Sequence, residues 1–146
     1  MAVDVSNSIV IGKPVEEVAA YAMDPDNAPE WYKNIQSIEW RSKKPLRKGS
    51  KLAFVAQFLG RRLAYTYEVV EMAPGERFVM RTAEGPFPME TTYEWRPVGD
   101  GKTEMTLRNR GAPSGFSAIV APLMAVAMNR ENRKDLESIR RILESR

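Results

Sequence analysis

The sequence lacks both cysteine and histidine. Without cysteine the chain has no disulfide, no thiolate nucleophile, no cysteine-bound zinc and no iron–sulfur cluster. Without histidine it has no histidine-centred triad, no histidine-bound haem and no imidazole proton shuttle. Acid–base chemistry therefore depends on Asp, Glu, Lys, Tyr or Arg. Carboxylates alone can also bind a metal, but here they lack the spacing of an EF-hand loop. We expect neither a metal nor another cofactor.

Long apolar runs and a strong charge bias are absent as well. No stretch of about 18 apolar residues occurs, so no segment is predicted to span a membrane. The N-terminus lacks the basic flank and apolar run of a signal peptide, and we expect a cytoplasmic protein. The 22 Lys and Arg residues against 19 Asp and Glu residues give a net charge of +3. This small, mixed excess predicts no nucleic-acid binding.

The 146 residues are typical of a single domain, and most of the chain reads as strands. Apolar and polar residues alternate along seven segments, as in half-buried β-strands. These are Val3–Ile11, Ile35–Ser42, Leu52–Leu59, Leu63–Met72, Phe78–Thr82, Phe87–Trp95 and Thr103–Asn109. Turn sequences such as Pro74-Gly75 separate the later strands and predict an antiparallel meander. Two short helices, starting near Pro14 and Pro29, are predicted after the first strand.

One long helix is predicted from Ser114 to Arg146. Its second half is amphipathic, with Leu136 and Ile139 on the apolar face and charged residues, Asp135 among them, elsewhere. Its first half, 116–128, is apolar on nearly every side and contains Pro122, which is expected to kink it. Such a helix must contact protein, ligand or membrane on every side. We interpret this half as the lid of an apolar cavity enclosed against a curved sheet.

A series of short motifs runs along the chain in a fixed order. They are Ile9–Ile11 leading into Pro14–Val18, Asp24–Trp31, Gly49, Val70–Arg77, Tyr93–Pro97, Gly101–Met105 and Asn132–Ile139. In order and spacing they resemble the START-like superfamily, also called the Bet v 1-like or SRPBCC helix-grip fold. In particular, the chain resembles the polyketide cyclase/dehydrase and lipid transport family of that superfamily.

The resemblance spans nearly the whole chain. It implies an α+β fold in which a curved seven-stranded antiparallel sheet wraps around a long C-terminal helix, with two short helices after strand one. It does not imply one function, because this fold hosts transporters, hormone receptors and cyclases.

In the aromatising cyclases of this superfamily, the resemblance implies a cavity arginine and a cavity tyrosine. The position after the second helix where that tyrosine is expected holds Ile35, and strand 64–69 has tyrosines but no arginine. No catalytic residue is therefore transferred. Tyr65 and Tyr67 remain catalytic candidates because they share the inward strand face with Leu63. Their hydroxyls could fix a ligand carbonyl or act as weak acids, or they could simply fill the core.

Candidate ligand-binding side chains fall into three classes: aromatic walls, flexible methionines or other apolar contacts, and polar anchors. They are Trp31, Phe54, Tyr65, Tyr67, Met80, Thr82, Met89, Thr91, Tyr93, Asn109, Val120, Met124 and Met128. Trp31 is favoured among the aromatics because the second short helix lies near the usual opening of such cavities. For every class the alternative is ordinary core packing or satisfaction of nearby backbone.

The leading hypothesis is binding or carriage of a small hydrophobic molecule, lipid- or polyketide-like, in the internal cavity. The alternative is an enzyme of the cyclase or dehydratase type that acts by confinement and orientation of its substrate. A weaker alternative is an interaction module whose apolar lid binds another protein. A homodimer is compatible with the sequence, but no pattern in it indicates one. The sequence does not identify the ligand.

Overall fold

The computed structural model describes residues 3–58, 60–85, 88–112 and 120–146, without the side chains of residues 58, 120 and 121. Within these residues, seven strands and three α-helices follow one another. They are β1 (Val3–Ile11), α1 (Val15–Met23), α2 (Ala28–Trp31), β2 (Ile35–Trp40), β3 (Lys51–Phe58), β4 (Arg61–Ala73), β5 (Arg77–Glu84), β6 (Met89–Pro97), β7 (Thr103–Gly111) and α3 (Val120–Glu144). A 3-10 turn, Pro25–Asn27, connects α1 to α2.

The strands form one antiparallel sheet in the order β1-β7-β6-β5-β4-β3-β2. Each strand from β2 to β6 pairs with its successor in the chain, as a meander requires. The first strand instead pairs with the last, from Val3 opposite Gly111 to Ile11 opposite Thr103. The two short helices therefore connect opposite edges of the sheet. The predicted helix-grip architecture, a curved seven-stranded sheet with a long C-terminal helix, is confirmed.

Strand bounds differ modestly from those predicted. The fifth strand continues to Glu84 rather than ending at Thr82, and β4 begins at Arg61. The register of β4 against β5 shifts between Val69 and Glu71, which marks a β-bulge in this 13-residue strand. Two residues predicted to lie in strands, Leu59 and Phe87, are outside the described residues.

The core has two parts, which lie at the two ends of α3. The larger part joins α1, α2 and the C-terminal half of α3 to the sheet through fully buried residues such as Trp31, Phe78 and Ile139. The smaller part packs Met124 and Met128 of α3 against β1 and β4. The predicted amphipathic face of the C-terminal half is present, since Leu136, Ile139 and Leu143 are buried.

The N-terminal half of α3 is not enclosed on every side. Met124 is 2% exposed, but Leu123 is 66% exposed and Val126 is 60% exposed. Pro122 is the third described residue of α3, and the kink expected there stays a prediction. The predicted helical residues 114–119 are outside the described part of the chain. Among the described helices, none is long and apolar enough to cross a membrane.

Candidate ligand cavity

A cavity with a free volume of about 160 Å³ lies between the concave face of the sheet and α3, and it is partly open to solvent. Strand alternation explains its wall. Inward-facing positions of β3, β4, β5, β6 and β7 supply the sheet side, and one face of α3 supplies the other. Ten of the sequence-predicted residues line it: Phe54, Tyr65, Tyr67, Met80, Met89, Thr91, Tyr93, Asn109, Met124 and Met128.

Trp31 is not in the cavity wall. The α2 helix is a single turn that ends at Trp31, whose ring is fully buried in the large core. The next residue, Tyr32, has an extended backbone (φ −85°, ψ 108°) and lines the cavity instead. The two rings pack with centroids 4.0 Å apart. At this point of the chain the cavity-lining aromatic residue is therefore Tyr32, one residue after the predicted Trp31.

Thr82 is also absent from the wall. Its hydroxyl oxygen accepts a hydrogen bond from the Met89 backbone N–H at 2.9 Å. This contact fastens the end of β5 to the start of β6, which is the role of satisfying nearby backbone that the sequence left open. Val120 begins α3, but its side chain is outside the described residues.

Polar side chains form one connected row across the apolar wall. The Thr91 hydroxyl on β6 donates to the Asn109 side-chain oxygen on β7 at 2.6 Å. The Asn109 amide then donates to the side-chain oxygen of Asn132 on α3 at 2.8 Å. The Asn132 side chain is 3% exposed, and its own Nδ2 has no hydrogen-bond partner. A buried donor left in this way costs about 1–3 kcal/mol.

The tyrosines of the wall are hydrogen-bond donors rather than bases. Burial raises the pKa of Tyr67 to about 12, and burial raises the pKa of Tyr65 as well. Tyr32 and Tyr93 place their hydroxyl oxygens 2.6 Å apart, and burial raises the pKa of both phenols. All four phenols therefore remain protonated near neutral pH.

Asp135 brings a carboxyl group to the same cavity. The side chain is 3% exposed, and its Oδ1 accepts a long hydrogen bond, 3.3 Å, from the Lys33 backbone N–H. Burial raises the pKa of Asp135 from 3.8 to about 7, against the lowering effect of the Lys33 N–H, and the nearby Glu131 raises it further. A carboxyl group with this pKa can give or accept a proton near neutral pH.

Sequence reasoning assigned Asp135 to the polar side of the helix, and the structure corrects this. Asn132, Asp135 and Ile139 recur at the helical spacing of three and four residues, and all three are buried. This spacing was the available signal. Among the described residues, no group of three or more Asp and Glu side chains is arranged to hold a metal ion.

A sequence model of the family described as "Polyketide cyclase / dehydrase and lipid transport" matches residues 2–144. The chain belongs to this family. No curated protein matches the sequence at a significant level. Family membership alone leaves the ligand and the reaction open, since the fold supports several functions.

Solved structures similar to this family member share its fold over almost the entire chain. The protein TTHA0849 from Thermus thermophilus is 21% identical with a TM-score of 0.83, over 97% of this chain and 98% of that one. The Zhui aromatase/cyclase from Streptomyces sp. R1128 is 14% identical with a TM-score of 0.81, over 97% and 93%. A START superfamily protein from Mycobacterium smegmatis is 14% identical with a TM-score of 0.76, over 95% and 98%. At these identities the likeness establishes the fold.

Proposed function

We propose that this protein binds or carries a small hydrophobic molecule in the cavity between the sheet and α3. The observation that carries the proposal is the cavity itself, whose wall of aromatic rings and methionines contains a few fixed polar groups. This is the usual plan of a small-molecule site. A volume of about 160 Å³ is close to that of an engineered apolar cavity, ~150 Å³, that binds benzene. The enclosed part of the ligand is therefore about one or two rings in size.

The wall supplies affinity mainly by burying apolar surface. Each 100 Å² of ligand surface removed from water contributes about 2.5 kcal/mol. Met80, Met89 and Met124 can change rotamer at little cost, so the cavity can adapt to ligands of different outline. The partial opening allows a longer ligand to extend into solvent, which favours a carrier over a site that seals its guest.

Cavity filling tests the proposal directly. Ala56 lines the cavity, whereas Ala53 of the same strand does not. We expect Ala56→Phe to weaken binding of the neutral fluorescent dye 1-aminoanthracene about tenfold or more, because the new ring occupies the space. The matched control Ala53→Phe should retain binding. Equal binding by both variants would place the dye elsewhere and count against the proposal, as would failure of wild-type protein to bind it.

Native mass spectrometry of protein purified from its host supplies an independent readout. We expect a co-purified hydrophobic molecule whose mass is lost from Ala56→Phe and retained by Ala53→Phe. Cytoplasmic location and the absence of a cofactor stay predictions from the sequence.

An enzyme of the cyclase or dehydratase type is the second candidate, and Asp135 is the observation that favours it. A carboxylate here could remove a proton beside a ligand carbonyl while a protonated tyrosine, Tyr65 or Tyr67, donates a hydrogen bond to the carbonyl oxygen. Turnover of a poly-β-ketone mimic should then fall about 100-fold or more in Asp135→Asn. Turnover that survives this change and both Tyr→Phe changes would exclude the assignment.

A further inference from the structure

The charged side chains of the cavity wall have one sign. Glu131 and Asp135 line it, and none of the described lining residues is Lys or Arg. The segments outside the described residues contain no charged side chain either, as their sequence shows. The Lys134 Nζ lies 3.8 Å from a Glu131 carboxylate oxygen, and Lys33 donates its backbone N–H to Asp135. The charges of both lysines lower the pKa of Asp135, but neither lysine lines the cavity.

A carboxylate or phosphate on the ligand would be poorly accommodated in such a wall. An anion that leaves water needs a cation or several aligned donors to compensate its lost hydration. Here it would find two carboxyl groups, so the repulsion adds to the desolvation cost. Selectivity of this kind comes from an unfavourable contact with the wrong ligand rather than from extra contacts with the right one.

A neutral oxygen is matched by the wall. The Asn132 Nδ2 donor is unused by the protein, and the buried Asn109–Asn132 hydrogen bond fixes which end of the amide carries it. A ligand carbonyl or hydroxyl oxygen would satisfy this donor. A pure hydrocarbon would leave it unsatisfied. An ammonium group on the ligand would gain less binding energy than two free carboxylates would provide. Glu131 already accepts a hydrogen bond from the Asn34 side-chain amide at 3.1 Å and lies near Lys134.

We propose that the cavity selects neutral hydrophobic ligands that present a carbonyl or hydroxyl oxygen to Asn132, and that it excludes lipids bearing a carboxylate or a phosphate. This inference rests on the proposed binding function and names its ligand class.

The test compares ligands of one shape. Naphthalene, 2-acetylnaphthalene and 2-naphthoate share one ring system, which carries no substituent, a neutral acetyl group or a carboxylate. Each would be titrated against bound 1-aminoanthracene at about pH 8, where solution carboxylates are ionised. We expect the ketone to bind about tenfold more tightly than the carboxylate and several-fold more tightly than naphthalene.

Variants separate the two contributions. Asn132→Leu should bring the ketone down to the affinity of naphthalene, and Asp135→Asn should raise the affinity for 2-naphthoate about fivefold or more. Exposed Glu137 of the same helix gives the control, Glu137→Gln, which should change neither ratio. Asn132→Leu also removes the partner of the Asn109 amide. We therefore expect naphthalene to bind this variant as it binds wild type, which would show that the cavity of the variant is intact.

The outcomes distinguish this inference from the function on which it rests. If none of the three compounds displaces the dye, the proposed function fails. If all displace it and 2-naphthoate binds as tightly as the ketone, the function stands and the selectivity is overturned. Arg61, exposed at the start of β4, shares a strand face with Leu63, which lines the cavity. Tight naphthoate binding that disappears in Arg61→Gln would assign ligand choice to that arginine and also overturn the inference.

Discussion

The Tyr32 hydroxyl, directly after α2, lies 2.6 Å from the Tyr93 hydroxyl of strand β6. Both residues line the cavity. The pair satisfies two polar groups that the surrounding rings of Trp31 and Phe78 would otherwise leave without partners. One hydrogen bond thus fixes part of the cavity wall and ties the short-helix segment to the centre of the sheet.

A double-mutant cycle measures this pair. Tyr32→Phe and Tyr93→Phe should each lower the free energy of unfolding by about 1–2 kcal/mol, because each leaves one buried hydroxyl unpaired. The double variant removes both hydroxyls, so its loss should be smaller than the sum of the single losses by about 0.5–1.5 kcal/mol. Urea denaturation gives all four values. Strict additivity would show that the two hydroxyls do not stabilise one another.

Two neighbouring residues of α3 should contribute very unequally to stability when each is truncated to alanine. Met124→Ala is expected to lower the free energy of unfolding by about 2 kcal/mol or more, since the side chain is buried against β1 and β4. Leu123→Ala should change it by less than about 0.5 kcal/mol, because Leu123 is mostly exposed. Comparable losses in thermal or urea unfolding would mean that Leu123 is covered in solution.

The exposure of Leu123 also bears on the alternative that this protein is an interaction module. If Leu123 and Val126 bind another copy of the chain, sedimentation should show a mass that falls on dilution, and Leu123→Gln should abolish the association. Concentration-independent mass in wild type and variant would remove self-association as a role for this surface.

Strand alternation was sufficient to place Phe54, Tyr65 and Tyr93 in the wall, because a strand turns successive side chains to opposite faces without drift. The same alternation puts Thr82 on the face of its cross-strand partner Tyr67, but a local hydrogen bond to Met89 at the strand end, and not the cavity, takes up its hydroxyl. Periodicity describes which face a residue occupies. It does not describe which backbone groups at the end of a strand need a partner.

Helix α3 shows a different limit. Hydropathy separates Leu136 from its charged neighbours, but it classifies Asp135 as a solvent-facing residue by type. The structure buries it because the cavity and the Lys33 N–H provide a polar niche on an otherwise apolar face. A buried carboxyl of this kind depends on contacts distant in sequence. The same holds for Tyr32, whose position depends on how a single-turn helix ends.

Gly85 leaves the space that the Tyr65 ring occupies. A Cβ added at Gly85 would lie 2.5 Å from Tyr65 Cδ1, closer than carbon atoms approach. Gly85→Ala should therefore displace the ring and weaken 1-aminoanthracene binding several-fold. In a Tyr65→Ala background the same glycine change should have no further effect on the dye affinity. A persistent effect there would trace the loss to the backbone at Gly85.

The last prediction concerns the stability of the fold as a function of pH. Folding raises the pKa of Asp135 from 3.8 to about 7, chiefly by burial. Between these two values the folded chain holds the Asp135 proton more tightly than the unfolded chain does. Protonated Asp135 therefore contributes to the free energy of unfolding fully at low pH, and this contribution is lost as the pH rises from about 4 to about 7. Its full size is about 4 kcal/mol.

Asp135→Asn keeps an acceptor for the Lys33 N–H and removes this titration. We expect the free energy of unfolding of the variant, relative to wild type, to rise by a few kcal/mol between about pH 4 and pH 8. Subtracting the wild-type free energy from that of the variant cancels the contributions of exposed groups such as Asp4 and Asp26. The lowered pKa values of these two groups affect both proteins equally below that pH range. Glu131 and Lys134 remain in place in both proteins. Parallel pH profiles for variant and wild type would show that folding does not raise the pKa of Asp135.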